Sequence, residues 1–379
     1  MTAAGGTARR RVVILRGHSA NPWELGTWEL LADRFDVLVA VTASTPYDLS
    51  GLALEQVRVP TVRDLLPRGR LGDVATLALG DRYRNLEQLL RGADIVHAAE
   101  LGVWWSGRPA ALKRELGFRL VLTVWETIPL RTTYRRFRGR ADRERSLAET
   151  DLYLAATERA RHALLLEGAP GRRILVCPPG VDVERFRSVA AAPAAQTEHV
   201  LVSPGRLVWE KGHYDVLRAL AVLGPGVRAE LVGAGPERER LLRYASDLGV
   251  GDRVTVHPLP YERMPEVFAR ASAVVLASLP IPLWEEQFGM VLAEALAAGA
   301  PIVASTSGAI PEVLAGSDAA LFAPGDWPEL ARLLREGPLA QPPGARAAYA
   351  PELVERYSTR AAAERLASAY ERVLAGTGP

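Results

Sequence analysis

Residues 199–212 read HVLVSPGRLVWEKG. An apolar run stops at Pro204-Gly205, two cations follow at Arg206 and Lys211, and Gly212 closes the turn. This is the pattern of a buried parallel strand delivering its chain into a helix. It repeats downstream: YDVLRALAVLG reads as helix, RAELVGAG as strand, ERERLLRYASDLG as helix, RVTVHPL as strand, MPEVFARAS as helix, AVVLAS as strand, GMVLAEALAAG as helix and PIVAS as strand. Continuous apolar strands separated by amphipathic helices predict an α/β fold with a doubly wound parallel sheet.

The first half carries the same rhythm, with RVVILRG, DVLVAVTAS, ADIVHAAE, FRLVLTVWE, DLYLAAT and RILVCPPG as strands and WELGTWELLADRF as the first helix. Between the halves, residues 188–198, SVAAAPAAQTE, are small, Ala-rich and broken by Pro193, which marks a linker. The expected division is an N-terminal domain at 1–187, the linker at 188–198, a C-terminal domain at 199–355 and a terminal helix at 356–379. That helix, with Leu366, Ala369, Tyr370 and Val373 on one face, either closes the second domain or crosses back to the first. At 379 residues the chain is long enough for two cores. Facing sheets of this kind would form a cleft from strand-exit loops, where open parallel sheets bind ligands.

Composition excludes several classes. A formal charge of +2 with six histidines gives no global field for nucleic acid. Cys177 is alone, which rules out an intramolecular disulfide and suits a reducing cytoplasm. No apolar run is long enough for a signal-peptide core or a spanning helix, so any membrane contact is expected to be peripheral and cytoplasmic. Lys113 and Lys211 are the only lysines among 46 basic residues, and a Lys retained in a Gly-flanked turn points to a need for a compact point charge.

The residues with chemistry fall on the exits of the second domain's strands. Gly205 and Gly212 frame a turn that aims Arg206 and Lys211 at one place, where they can neutralise charge developing on a diphosphate. Glu286, Gln287, Phe288 and Gly289 precede a helix whose free N–H groups and positive dipole end favour an anion. Gly289 permits close backbone approach, and the amides of Met290 and Val291 are the expected donors. Glu294, one turn in, can accept from a ribose diol, and Glu286 from hydroxyls of a second sugar. Read blandly, both carboxylates only favour a helix start and point at water, while Lys211 pairs with Glu210 or Asp215. The chemical reading is a nucleotide-diphosphate sugar held without a metal or other cofactor, and no Asp-x-Asp pair is present to carry a divalent ion.

The stretch from Val202 to Glu312 resembles the retaining glycosyltransferases of family GT4, whose GT-B architecture is two Rossmann-like domains facing across a cleft. GRLVWEKG is similar to that family's Gly-Arg-Leu…Lys-Gly segment and LVGAGP to its Gly-x-Gly-Pro turn. Glu286 and Glu294 have its E-x7-E spacing, and SGAIPEVL resembles its Gly-Gly-x-Pro-Glu stretch. The resemblance implies Arg206 and Lys211 on donor phosphates, Glu286 on the transferred sugar, Glu294 on the ribose, and backbone around Val256–Leu259, including Pro258 and Leu259, against the base. It implies a hexosyl transfer from a UDP- or GDP-linked sugar to a hydroxyl of a small-molecule, lipid-linked or glycan acceptor by front-face displacement. A covalent intermediate on Glu126 is the less favoured route.

The first domain, expected to hold the acceptor, departs from the family pattern. CPPGVDVERF resembles an interdomain Pro-Asn-Gly-Val-Asp segment, with Pro179 where Asn is usual. DIVHAAELG resembles a strand end that often reads His-x-His, with Ala99 at the second position. His97 is therefore read chiefly as a core or hinge residue, and Glu100 and Glu126 remain as polar acceptor-side candidates. Gly26 is either a plain helix residue or the counterpart of a loop that meets the diphosphate. Residues 131–146, RTTYRRFRGRADRERS, are Arg-rich, with Arg135, Arg136 and Arg138 as candidates for an anionic membrane or acceptor phosphate; the plain alternative is a solvated helix. Competing functions are a GT-B sugar-nucleotide epimerase, a noncatalytic nucleotide-sugar-binding subunit, and, weakly, a phosphorylase using Lys113.

Overall fold

The computed structural model of the protein describes residues 9–67, 69–131, 137–190 and 196–376. The chain forms two compact units, Met1–Gly180 with Thr359–Pro379, and Val181–Ser358. The division falls at Gly180–Val181, ahead of residues 188–198. The reason is that Val183–Ala190 is a helix of the second unit, where Phe186 is fully buried and its ring lies 5.6 Å from that of Phe268. Residues 191–195, including Pro193, lie outside the described residues.

The first unit is built on seven parallel strands: β1 Arg10–Leu15, β2 Phe35–Val41, β3 Glu55–Arg58, β4 Ile95–Ala99, β5 Arg119–Val124, β6 Leu152–Ala155 and β7 Ile174–Val176. Their order in the sheet is β3-β2-β1-β4-β5-β6-β7. In β1 the side chains of Val13 and Leu15 join one core and those of Val12 and Ile14 another, so from Val12 onward both faces are buried and the strand is apolar. The second core also holds Ala363, Leu366, Ala369, Tyr370 and Val373 of the C-terminal helix Thr359–Ala375. Of the two expected placements of that helix, the structure takes the one in which it returns to the N-terminal sheet.

The second unit has six parallel strands: β8 His199–Pro204, β9 Val227–Val232, β10 Val254–His257, β11 Ala273–Leu276, β12 Ile302–Ser305 and β13 Ala320–Phe322. Their order is β10-β9-β8-β11-β12-β13. Leu201, Leu231, Val275 and Val303 share a core with Val216, Leu217 and Leu220 of the helix His213–Val222 and Leu330 and Leu334 of the helix Trp327–Glu336. Strand order reverses at β8, so the connections leaving β8 and β11 diverge and leave a crevice beyond their carboxyl ends. The same reversal occurs in the first unit between β1 and β4. Among the described residues no helix is long and apolar enough to cross a membrane.

Candidate functional site

Lys211 and Glu286 leave β8 and β11 and meet at this reversal. The Lys211 ammonium donates to Glu286 Oε2 at 2.6 Å, and Ser278 Oγ donates to the same oxygen at 2.7 Å. Both side chains are largely buried, at 14% and 9% exposed, and the ammonium lies 5.0 Å from the centre of the Trp284 ring. An ion pair so enclosed is held by its hydrogen bonds, because each partner alone would carry an uncompensated charge. Lys211 therefore pairs with neither Glu210 nor Asp215. Glu210 lies 3.7 Å from Arg206, whose guanidinium is 62% exposed, and Asp215 pairs with Arg218.

Backbone approach fixes this geometry. Gly212 has φ +68°, and a Cβ there would overlap the carbonyl of Ala277, so the β8 exit turn packs directly on the β11 exit. Leu279 N donates to Glu210 O at 2.8 Å across the same seam. Gly308, at φ +56°, lies against the Glu286 carbonyl, which accepts from Ala309 N at 2.9 Å. The SGAIPEVL stretch thus holds the backbone of Glu286. The LVGAGP turn braces the other side: Gly233 and Gly235 leave no room for a Cβ against the carbonyls of Gly205 and Leu207, and Leu207 N donates to Ala234 O at 2.9 Å.

His213 supports Arg206 from below. Burial pushes its imidazole down to about 4, so the ring is neutral. The Arg206 carbonyl, 3.1 Å from Nε2, can only accept, which puts the proton on Nε2 and leaves Nδ1 to accept from Ser203 Oγ at 2.9 Å.

Glu294 lies in the helix Met290–Ala297, which follows Gly289 at φ +79°. Phe288 is buried with its ring edge-on to Tyr357, and Met290 and Val291 are half-buried at the helix start. Glu294 is 3% exposed, and its Oε1 accepts from the Tyr261 hydroxyl at 2.9 Å. Burial raises its carboxyl to about 7, against the opposing pull of the Tyr261 hydrogen bond and the Arg185 charge. Arg185 lies 4.7 Å over the Tyr261 ring and donates to the Tyr261 carbonyl at 2.6 Å. Tyr261 follows Pro258 and Leu259 on the loop leaving β10, so that exit is tied to Glu294.

In the first unit His97 is buried, with Nδ1 2.6 Å from the Tyr370 hydroxyl and Nε2 2.8 Å from Thr123 Oγ1. Burial holds it well below the usual range, as fits a satisfied core histidine. Glu100 follows β4 with φ +66°; its Oε1 accepts from Trp125 N at 2.8 Å, its Oε2 is buried without a partner, and burial raises its carboxyl to about 7. Glu126 accepts from Ile128 N at 2.9 Å and is paired with Arg131. Gly26 sits inside the helix Pro22–Glu29, where the nearest atom to an added Cβ would be 3.9 Å away. At the exit of β1 the tight glycine is instead Gly17, at φ +56° with the Trp105 ring against it.

Arg135 and Arg136 lie outside the described residues, and Arg138 falls in the helix Phe137–Glu149. Further along that helix Arg140, Arg143 and Arg145 pair with Glu144, Glu167 and Asp142. Lys113, in the helix Trp104–Leu116, is bound to Asp151 at 2.9 Å.

Residues 27–185 match the glycosyltransferase family 4 domain and residues 185–338 the glycosyl transferases group 1 domain. Together the two models span residues 27–338, and along that stretch the chain is GT4-like. It is 34% identical over 252 residues to a D-inositol 3-phosphate glycosyltransferase of Segniliparus rotundus, covering 61% of this chain and 54% of that protein. It is 34% identical over 208 residues to a GDP-mannose-dependent alpha-(1-6)-phosphatidylinositol monomannoside mannosyltransferase of Mycolicibacterium smegmatis, covering 50% and 51%. The chain spans about half the length of the curated relatives it matches. Its fold is similar to Anabaena HepE in complex with UDP and glucose, with a TM-score of 0.76, 20% identity and coverage of 96% and 99%. Sucrose-phosphate synthase from Thermosynechococcus elongatus gives 0.73, 20%, 97% and 100%. The fold is GT-B in type, two doubly wound Rossmann-like units.

Sequence reasoning missed Ser278, Trp284, Tyr261 and Arg185 in this site. Ser278 ends AVVLAS one residue past the apolar run, which is the one signal that could have marked it. The others became visible only when separate loops met.

Proposed function

We propose that the protein transfers a hexosyl group, with retention, from a UDP- or GDP-linked sugar to a hydroxyl of a small-molecule, lipid-linked or glycan acceptor. The observation that carries the reading is the Lys211–Glu286 contact at the β8–β11 reversal, beside the start of the helix Met290–Ala297. Lys211 has three N–H donors and commits one to Glu286. The other two are available to diphosphate oxygens, with Arg206 as the outer cation. Glu286 then accepts from sugar hydroxyls beside the phosphates, and Glu294 accepts from the ribose.

In this reading the anomeric carbon–phosphate oxygen bond breaks and the acceptor oxygen bonds to the same face, while the acceptor proton passes to the departing phosphate oxygen. The protein contributes position and charge stabilisation, with the two cations and the helix start serving where a metal ion otherwise would. The activities for which the relatives are named, on inositol phosphate and on a phosphatidylinositol mannoside, support a hydroxyl acceptor, and the UDP and glucose of the Anabaena complex support a nucleotide-sugar donor.

A thermal-shift screen over UDP- and GDP-sugars tests donor binding, since a ligand at a hundred times its Kd adds about 2.7 kcal/mol. Stabilisation by one donor series, lost in Lys211→Ala, is the expected result. NMR of the product should then show the donor's anomeric configuration. An inverted product would end the retaining assignment, and a changed nucleotide sugar released without acceptor would make the protein an epimerase.

A further inference from the structure

The helix Arg70–Leu79 is turned the wrong way round for a water-facing element. Its small, polar side faces inward. Gly72 is buried against the Pro67 carbonyl, with no room for a Cβ, and Thr76 Oγ1 donates to Gly72 O at 2.7 Å. Three of its large apolar residues are exposed: Leu71 at 82%, Val74 at 66% and Leu79 at 53%, with Leu65 of the preceding turn at 60%. Leu71 and Val74 stand three apart and share a face. A helix of an ordinary soluble surface buries that stripe.

The segment is anchored. Thr61 bridges Tyr83 antiparallel, Arg84 N donates to Pro60 O at 2.9 Å, and Val62 N donates to Arg82 O at 3.2 Å, closing a neck below the excursion. The buried Tyr83 hydroxyl accepts from Gly17 N at 2.8 Å, which fixes the neck to the β1 exit. The charge around it is one-sided. Residues 58–84 contain six Arg and three Asp, and Arg58, Arg70, Arg82 and Arg84 are exposed. Asp64 and Asp81 are engaged by the backbone amides of Thr61 and Arg63.

We propose that the face of Leu71 and Val74, with the exposed Leu65 and Leu79 beside it and these arginines around it, seats the protein on an anionic lipid bilayer. An apolar stripe sinks into the acyl boundary while guanidinium groups meet the headgroup phosphates. A second copy of the chain fits less well. A ten-residue helix is about 15 Å long, which is short for the ~800 Å² that each partner buries in a stable dimer, and two copies would bring like charges together. The inference is independent of the donor reading and of the Arg-rich stretch at residues 131–146.

The test is co-sedimentation of the full chain with vesicles of phosphatidylcholine alone and of phosphatidylcholine with phosphatidylglycerol. Binding to the anionic vesicles should exceed binding to the neutral ones, weaken with salt, and fall by about tenfold or more in Leu71→Glu/Val74→Glu. Leu166→Glu, which charges an exposed leucine of the helix Glu158–Glu167, should bind as the parent does. An unchanged melting temperature and unchanged nucleotide-sugar binding show that the double variant is folded. Equal pelleting with both vesicle types, no pelleting, or retained binding in the double variant overturns the proposal. So does a sedimentation-velocity dimer that Leu71→Glu/Val74→Glu converts to monomer, because the face would then be covered by a second copy.

Discussion

Lys211 and Ser278 converge on one carboxylate oxygen of Glu286, so the ammonium is positioned before any donor arrives. Lys211→Ala should lower kcat/KM by about a hundredfold or more, equivalent to ~3 kcal/mol of lost transition-state stabilisation, in a transfer assay with the donor found by the screen. Glu294 carries the pH dependence. Its carboxyl is raised from 4.5 to about 7 by burial, so in the free protein it is largely neutral below that point. A ribose diol donates to the ionised form, and nucleotide affinity should therefore rise as pH increases through 7. Calorimetric titration from pH 6 to 8 should show this rise in the parent and a flat profile in Glu294→Gln; a steeper rise in the variant would contradict the assignment. The same raised value means that Glu294 favours the folded state below 4.5 and loses that contribution as pH climbs through 7. The type and spacing of Lys211 and Glu286 were readable in sequence. The hydrogen bond between them was not, because it depends on how two loops about eighty residues apart pack.

Strand exits and their glycines set the site at the next scale. Gly212 and Gly308 combine positive φ with backbone carbonyls where a Cβ would go, so Gly308→Ala should cost about 1–3 kcal/mol in urea unfolding and displace Glu286 with it. Gly26→Ala should be neutral or slightly stabilising by the same measurement, since it sits mid-helix with space around it. The alternation of apolar runs and amphipathic helices carried the strand sequence. It could not tell Gly26 from Gly17, because which glycine lies at a tight exit depends on the Trp105 ring packed against it. The Arg-rich stretch at 131–146 invited a surface reading, yet the partners of its described arginines include Glu167, which is distant in sequence.

At the scale of the whole chain, the two units close on themselves out of sequence order. The helix Thr359–Ala375 completes the N-terminal core, with the Tyr370 hydroxyl 2.8 Å from Trp28 Nε1 and 2.6 Å from His97 Nδ1. Tyr370→Phe should destabilise the protein by about 1–3 kcal/mol, because it leaves buried polar groups without their partner. A chain ending at Ser358 should lose near-ultraviolet circular dichroism and aggregate. The amino-acid sequence by itself determined the two-domain α/β class, the family and the residue types at the donor side, because burial on both faces of a parallel strand and anion capture at strand exits demand local patterns. Only the tertiary structure decided the break at Gly180–Val181, the return of the last helix, the Tyr261–Glu294 and Lys211–Glu286 pairings and the outward-facing stripe at 65–79. These depend on contacts between segments far apart in the chain, whose energies no local pattern encodes.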